Sequence, residues 1–108
     1  MTNITFYARK DGTIFGLQSK GHAGYGKRGT DIVCASVSIL TINTINSIQK
    51  LTSDKCNEKV NSRKATIDFE IDGEVSREAE VLLQSLKLGL EGISDEYPGN
   101  VKITVEEV

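Results

Sequence analysis

The order of helical and alternating segments along the chain leaves few folds open to it. Asp31 to Leu51 and Ser76 to Tyr97 carry apolar residues every three or four positions, which predicts two helices. Ile4 to Ala8, Ala65 to Asp72 and Asn100 to Val108 alternate between apolar and polar residues, which predicts strands with one buried face. One sheet with a single apolar face and two amphipathic helices pack most economically as a two-layer α/β sandwich.

The first strand is predicted to be one half of a hairpin. Asp11 and Gly12 follow it and are the residues that a tight two-residue turn prefers, so a second strand should run back antiparallel to the first. The resulting element order is β-β-α-β-α-β. We therefore expect a mixed sheet of four strands or slightly more, together with the two helices.

The two helices differ in their apolar patterns. In the second helix Val81 and Leu88 fall off the main stripe, which is typical of a dimer contact or of two exposed aliphatic residues. In the first helix the spacing of apolar residues by three and four positions favours a buried helix. Its apolar stripe consists of Val33, Val37, Leu40, Ile42, Ile45, Ile48 and Leu51.

Length and composition indicate one globular domain spanning residues 1–108. A chain of 108 residues can bury a single core, and its 38% hydrophobic and 26% charged residues are a globular composition. The net charge is −2 and no long basic run is present, which argues against nucleic acid as a direct partner because phosphate binding needs clustered Lys and Arg.

The N-terminal residues lack the apolar core of a signal peptide, and no run of apolar residues approaches the roughly 20 that a membrane span needs. We therefore expect a cytoplasmic protein with no membrane partner. In that reducing compartment Cys34 and Cys56 should be free thiols, and their spacing does not indicate a metal site. Cys56 lies in a polar stretch and has no predicted role.

The segment "GHAGYGKRGTDIVCASVS" collects the residues that could perform chemistry. It contains the single histidine, His22, together with Cys34 and four glycines. If Asp31 caps the first helix, Cys34 occupies the third helical position, where unpaired N–H groups and the helix dipole stabilise a thiolate. The loop between them could bring the imidazole of His22 to the sulfur and form a Cys/His pair.

Other interpretations of this segment stay open on spacing alone. A lone cysteine is often an inert apolar residue, and Asp31 could either cap the helix or orient His22. The pattern "GHAGYGKR" partly matches a phosphate-binding loop, but Arg28 stands where such a loop needs Ser or Thr. Simple anion binding by the loop amides, with help from Lys27 and Arg28, is a further possibility.

The same residues resemble the signature of the ribosomal-processing cysteine protease (Prp) family, in which Gly-His-Ala is followed, after a glycine-containing loop, by Asp-Ile-Val-Cys-Ala. The likeness extends to the hairpin, both helices and the closing "EYPGNVKITVEEV". It implies that Cys34 is the nucleophile, His22 the general base and Asp31 a supporting residue, with no metal or cofactor. The candidate substrate or gating loop comprises Gly21, Ala23, Gly24, Gly26, Gly29 and Ser38.

The resemblance also implies a substrate and an assembly. Family members are similar small homodimers that remove a short N-terminal extension from large-subunit ribosomal protein twenty-seven, cutting after an aromatic residue. Amides at the start of the first helix would be candidate oxyanion donors. The alternative is a noncatalytic ribosome-associated module that binds an anion through the glycine-rich loop and depends on Lys27 and Arg28 rather than on Cys34.

Overall fold

The computed structural model describes residues 1–27 and 29–108, which form one mixed sheet and two helices on one of its faces. The sheet has the strand order β3-β4-β2-β1-β5, in which β1 and β5 are parallel and the other neighbours antiparallel. The elements are β1 (Thr2–Ala8), β2 (Ile14–Lys20), α1 (Ile32–Leu51), β3 (Lys55–Asn61), β4 (Thr66–Asp72), α2 (Arg77–Glu96) and β5 (Val101–Glu107).

The core lies between the sheet and the two helices. Alternate residues of the central strands face it, since Ile4 and Phe6 of β1, Leu17 of β2 and Phe69 of β4 are fully buried. Leu83 of α2 packs into the same cluster. This arrangement confirms the predicted α/β class with two helices and a mixed sheet, and the sheet has five strands.

The strand that the sequence did not reveal is β3, which lies at one edge of the sheet. Most of its side chains are exposed on both faces, and only Cys56 is partly buried. A strand with no buried face shows no apolar alternation, which is the signal that identifies strands in a sequence. Burial raises the pKa of the Cys56 thiol, with smaller contributions from nearby carboxylates.

The apolar stripe predicted for α1 is only partly buried. Val37 and Ile48 face the core, whereas Leu40, Ile42 and Leu51 are exposed. The apolar residues of this helix extend around more of its circumference than the sheet and α2 can cover. By length and composition alone α1 would suffice to cross a membrane, a test that core helices of globular domains also pass.

Two predicted segment boundaries differ from the structure. The β1–β2 connection runs from Arg9 to Thr13, because Ala8 pairs with Ile14 across a register shift, so it is longer than the two-residue turn expected. Ala65 was expected in a strand but lies in the turn before β4 with a φ of 50°. Its carbonyl accepts a hydrogen bond from the Gly21 N–H at 3.0 Å, which fastens this turn to the end of β2.

Several chain segments meet at one end of the sheet. Lys20 at the end of β2 pairs with Asn3 of β1 and with Thr66 of β4, and Thr66 pairs with Asn61 of β3. The loop after Lys20 then leads directly to the start of α1. This end of the sheet is therefore where the histidine-containing loop, the cysteine-containing helix and the β3–β4 turn come together.

Candidate active site

Asp31 joins the first turn of α1 to the glycine-rich loop. One carboxylate oxygen, Oδ1, accepts hydrogen bonds from the N–H groups of Val33 and Cys34, both at 3.0 Å. The other, Oδ2, accepts from Tyr25 at 2.8 Å and from Gly26 at 3.1 Å. These bonds, with that from Cys34 the strongest, hold the pKa of the Asp31 carboxyl below its usual range.

None of these hydrogen bonds goes to His22. The four amides use both oxygens of the carboxylate, whose residue is only 7% exposed. Of the two roles considered for Asp31, the structure therefore displays capping and adds a bond to the loop that the sequence did not reveal.

Cys34 is the third residue of α1, and its sulfur faces the loop. The Ala23 N–H donates a hydrogen bond to Cys34 Sγ at 3.0 Å. The Ala23 carbonyl in turn accepts a hydrogen bond from Asn100 Nδ2 at 2.9 Å. Ala23 is thereby held from both sides, next to His22 in the chain.

Asn100 is a site residue that sequence reasoning missed. It is 77 positions from Ala23, and nothing in the chain near it suggests a role beyond the turn that precedes β5. Only the parallel pairing of β5 with β1 brings it to this end of the sheet.

His22 follows a residue whose conformation requires glycine. Gly21 has a φ of 97°, and a Cβ there would lie 2.6 Å from the Met1 carbonyl oxygen. The imidazole of His22 is exposed to solvent and lines the same cavities as the thiol of Cys34. Within residues 1–27 and 29–108 it makes no hydrogen bond to Cys34 or Asp31.

Two clefts meet at these side chains. The loop-side cleft has a volume of about 430 Å³ and the hairpin-side cleft about 220 Å³, and both are lined by His22, Cys34 and Ser38. The loop-side cleft is further lined by Gly24, Gly26, Gly29, Asp31 and Ala35. The hairpin-side cleft is further lined by Thr2, Ser19, Gly21, Val37, Val60, Asn61, Ser62, Ala65, Thr66 and Ile67.

The residues predicted as a substrate or gating loop are thus divided. Gly24, Gly26 and Gly29 line the loop-side cleft, and Gly21 lines the hairpin-side cleft. Ala23 lines neither, because its methyl group is buried in the core cluster.

Volume alone does not select this site. A larger cavity of about 630 Å³ lies between α2 and β5, and it contains neither Cys34 nor His22. In the part of the chain that the structure describes, no three His, Cys, Asp or Glu side chains are grouped so as to hold a metal ion. The two clefts that hold both the thiol and the imidazole are the candidate active site.

Two of the loop amides considered for anion binding are bonded within the chain itself. The amides of Tyr25 and Gly26 bind the Asp31 carboxylate and are therefore not free for an external anion. Lys27 is exposed beside them, and Arg28 lies outside the described residues.

A cysteine in the first turn of a helix, with a histidine on the same clefts, defines the class of thiol hydrolases that act through a Cys/His pair. The family model for cysteine protease Prp matches residues 1–102 of this chain, which therefore belongs to that family. The chain is accordingly a cysteine protease.

Known relatives cover nearly the whole chain. A protein of Staphylococcus aureus named ribosomal processing cysteine protease Prp is 26% identical over 103 residues, which are 95% of this chain and 97% of the relative. The Bacillus subtilis protein of the same name is 25% identical over 108 residues, with 96% of each chain covered. The crystal structure of the S. aureus protease with a covalently linked product peptide superimposes with a TM-score of 0.93 at 25% identity, covering 98% of this chain and all of that one.

Proposed function

We propose that this protease removes the N-terminal extension of large-subunit ribosomal protein twenty-seven, cutting after an aromatic residue. The observation that carries the proposal is the Cys34 thiol, bonded by the Ala23 N–H and bordered by two clefts that also contain His22. Membership of the Prp family, and the names of the two relatives, support a ribosomal protein as substrate.

In the first step Cys34 acts as nucleophile and His22 as general acid. The thiolate sulfur bonds to the carbonyl carbon of the scissile peptide, and the carbon–nitrogen bond then breaks. The amine leaves with a proton from the imidazolium of His22, and a thioester remains on the enzyme. Water then adds to the thioester carbon while His22 accepts a proton, and the carbon–sulfur bond breaks to release the acid and restore the thiolate.

We assign the oxyanion donor to a different amide from those expected from sequence. The Val33 and Cys34 amides at the start of α1 already donate to Asp31, so they are not aimed at a substrate oxygen. The Ala23 N–H lies 3.0 Å from the attacking sulfur, and we assign it to the developing oxyanion, since the charge moves from sulfur to oxygen during the attack.

The glycine-rich loop is proposed to order over the bound peptide. Its Tyr25 is fastened through the backbone to Asp31, and its ring packs edge-on against Tyr97 with centroids 5.1 Å apart. Gly24, Gly26 and Gly29 leave open the space above the thiol, where the backbone of a substrate could approach closely.

A direct test uses a peptide that spans the extension junction. We expect one cut by the wild-type protein and none by Cys34→Ala or His22→Ala, with products identified by mass spectrometry. Cleavage retained by Cys34→Ala would refute the nucleophile, and a cut elsewhere than after the aromatic residue would refute the specificity. A Cys56→Ala variant, which keeps the catalytic pair, is the matched control and should cut like wild type.

We also propose that the protein is a cytoplasmic homodimer. Both of its cysteines are free thiols, as suits a reducing compartment, and Val81 and Leu88 expose apolar surface on the outer side of α2. Sedimentation analysis should give a dimer for the wild type and a monomer for the double variant Val81→Glu, Leu88→Glu. A wild type that is monomeric at all concentrations tested would contradict the proposal.

A further inference from the structure

The hairpin-side cleft has a floor made by one row of side chains across three strands. Val60 of β3 is paired with Ile67 of β4, and Ile67 is paired with Ser19 of β2. All three residues line the cleft, and Val37 and Cys34 of α1 line it from the helix side. Neighbouring strands lie about 4.8 Å apart, so the row is about 10 Å long, the length of one large side chain.

The lining changes character along this row. Val60 is 61% exposed at the outer end, Ile67 is partly buried in the middle, and Ser19 is only 7% exposed at the inner end. The volume of about 220 Å³ would hold about seven water molecules, too little for a folded segment but enough for one large side chain. An apolar entrance that deepens beside the nucleophile is the usual form of a specificity pocket.

The turn that closes the cleft is attached to the catalytic segment. Ala65 lines the cleft and, among the described residues, is the one non-glycine residue with a positive φ. Its carbonyl accepts the Gly21 N–H, one residue before His22. A backbone conformation that is unfavourable for alanine is thus retained where the turn meets the catalytic histidine.

We propose that the hairpin-side cleft receives the side chain of one of the two residues that flank the scissile bond, and that Val60 sets the largest side chain accepted there. The bond itself would lie at Cys34, where the two clefts meet, so the peptide would extend from one cleft into the other. This inference rests on the proposed peptide cleavage and adds a residue on an edge strand that determines specificity.

The test combines two substitutions of opposite effect on cleft size with a set of junction peptides. Each of the two residues flanking the cut is replaced in turn by Ala, Leu, Phe and Trp, and kcat/KM is measured for every peptide. Val60→Phe narrows the cleft at its outer end, whereas Ala65→Gly removes a lining methyl group and relieves the positive φ. Val105→Phe is the matched control, because Val105 is also a half-exposed valine on an edge strand but lies outside the cleft.

At one of the two positions we expect Val60→Phe to lower kcat/KM for Phe and Trp peptides by about ten-fold or more, while Ala peptides lose less than two-fold. Ala65→Gly should raise the relative rate for Trp at that same position. Equal effects of Val60→Phe and Val105→Phe on all peptides would overturn the inference, even if cleavage by the wild type is normal. Failure of the wild type to cut any peptide would instead refute the proposed cleavage, and the inference with it.

Peptide binding to the Cys34→Ala form separates recognition from chemistry. The Kd of the Phe peptide should rise with Val60→Phe in that background and not with Val105→Phe. An unchanged Kd for both would also overturn the inference, and circular dichroism would show whether each variant is folded.

Discussion

Both helices of this protein begin with a side-chain N-cap, but the residues that follow the two caps differ in function. At α2 the Ser76 hydroxyl caps the helix by accepting the Ala79 N–H at 3.1 Å, just as the Asp31 carboxylate caps α1. The third helical residue is the buried Ala79 in α2 and the proposed nucleophile Cys34 in α1. Both caps satisfy amides that would otherwise lack a partner, so capping by itself does not identify a site.

The charges around the two caps differ. The first turn of α2 contains Glu78 and Glu80, which suit the positive end of a helix dipole, whereas the first turn of α1 contains no acidic residue. The second oxygen of the α1 cap holds the glycine-rich loop, whereas Ser76 donates its own N–H to the Asp54 carboxylate at 2.8 Å, away from the thiol. What distinguishes the active end is therefore what surrounds its cap.

The largest expected effect on kcat/KM distinguishes the third residue of α1 from the third residue of α2. Cys34→Ala should lower kcat/KM more than about 1,000-fold because no other nucleophile replaces the thiol, while the unfolding midpoint changes little. Ala79→Gly, at the equivalent position of α2, should instead lower stability by about 1 kcal/mol and leave kcat/KM within about two-fold. Peptide cleavage and urea unfolding of both variants check this contrast. A comparable loss of activity in Ala79→Gly would show that the two helix ends are not functionally distinct.

The next largest effect distinguishes the roles of the two oxygens of Asp31, one of which caps α1 while the other holds the loop. Asparagine caps a helix about as well as aspartate, but its amide nitrogen cannot accept the N–H groups of Tyr25 and Gly26. Asp31→Asn should therefore release the loop and lower kcat/KM by about ten-fold, with the helix retained. Ser76→Ala should do the reverse, lowering stability by about 1 kcal/mol with unchanged kinetics.

Unfolding followed by circular dichroism gives the stability of each variant, and steady-state kinetics on the same samples give kcat/KM. Full activity in Asp31→Asn would mean that the bond to the loop does not matter for catalysis. Hydrogen exchange at the Tyr25 and Gly26 amides supplies an independent check, since both should exchange faster in this variant.

A smaller effect is expected at Asn100, which holds Ala23 beside the proposed nucleophile. Asn100→Ala removes the hydrogen bond to the Ala23 carbonyl, so the Ala23 N–H and His22 should be less well placed. We expect kcat to fall a few-fold with KM nearly constant, because one neutral hydrogen bond contributes about 1 kcal/mol. Asn100→Gln tests placement, since it retains the amide but moves it by one methylene. Wild-type kcat in Asn100→Ala would rule out a positioning role.

The smallest expected effect is the contribution of Asp31 to the loss of folding stability at low pH. The pKa of Asp31 is lower in the folded protein than its ordinary value of 3.8, so the carboxylate stabilises the fold above that value. This contribution should be lost as pH falls from there through the lowered folded pKa. Urea unfolding between pH 5 and pH 2 should therefore show a shallower acid decline for Asp31→Asn than for wild type. Parallel declines would mean that Asp31 contributes nothing to the acid sensitivity.

Features defined by neighbours in the chain could be predicted before the structure. The cap at Asp31, the position of Cys34 three residues later and the cap at Ser76 all follow from short-range hydrogen bonding. The alternation of β1 and β4 likewise follows from a strand that has one buried face. These local signals were sufficient to predict the fold class and to recognise the resemblance to the family.

Features that depend on contacts between distant segments could not be predicted from the sequence. The strand β3 is paired only on one side and carries no apolar alternation, and the burial of α1 depends on how much of it the sheet covers. The bond between Asn100 and Ala23 joins residues that only the β1–β5 pairing brings together. The floor from Val60 through Ile67 to Ser19 exists only because three strands share one register.

The sequence by itself therefore determined the helix that presents the thiol and the order of the elements other than β3, since these depend on hydrogen bonds and periodicity within a few residues. The tertiary structure alone decided what supports Ala23, how Asp31 divides its two oxygens and which strand edge borders the Cys34 thiol. Those outcomes require contacts between segments far apart in the chain, and their geometry is set by strand register and packing rather than by local preference.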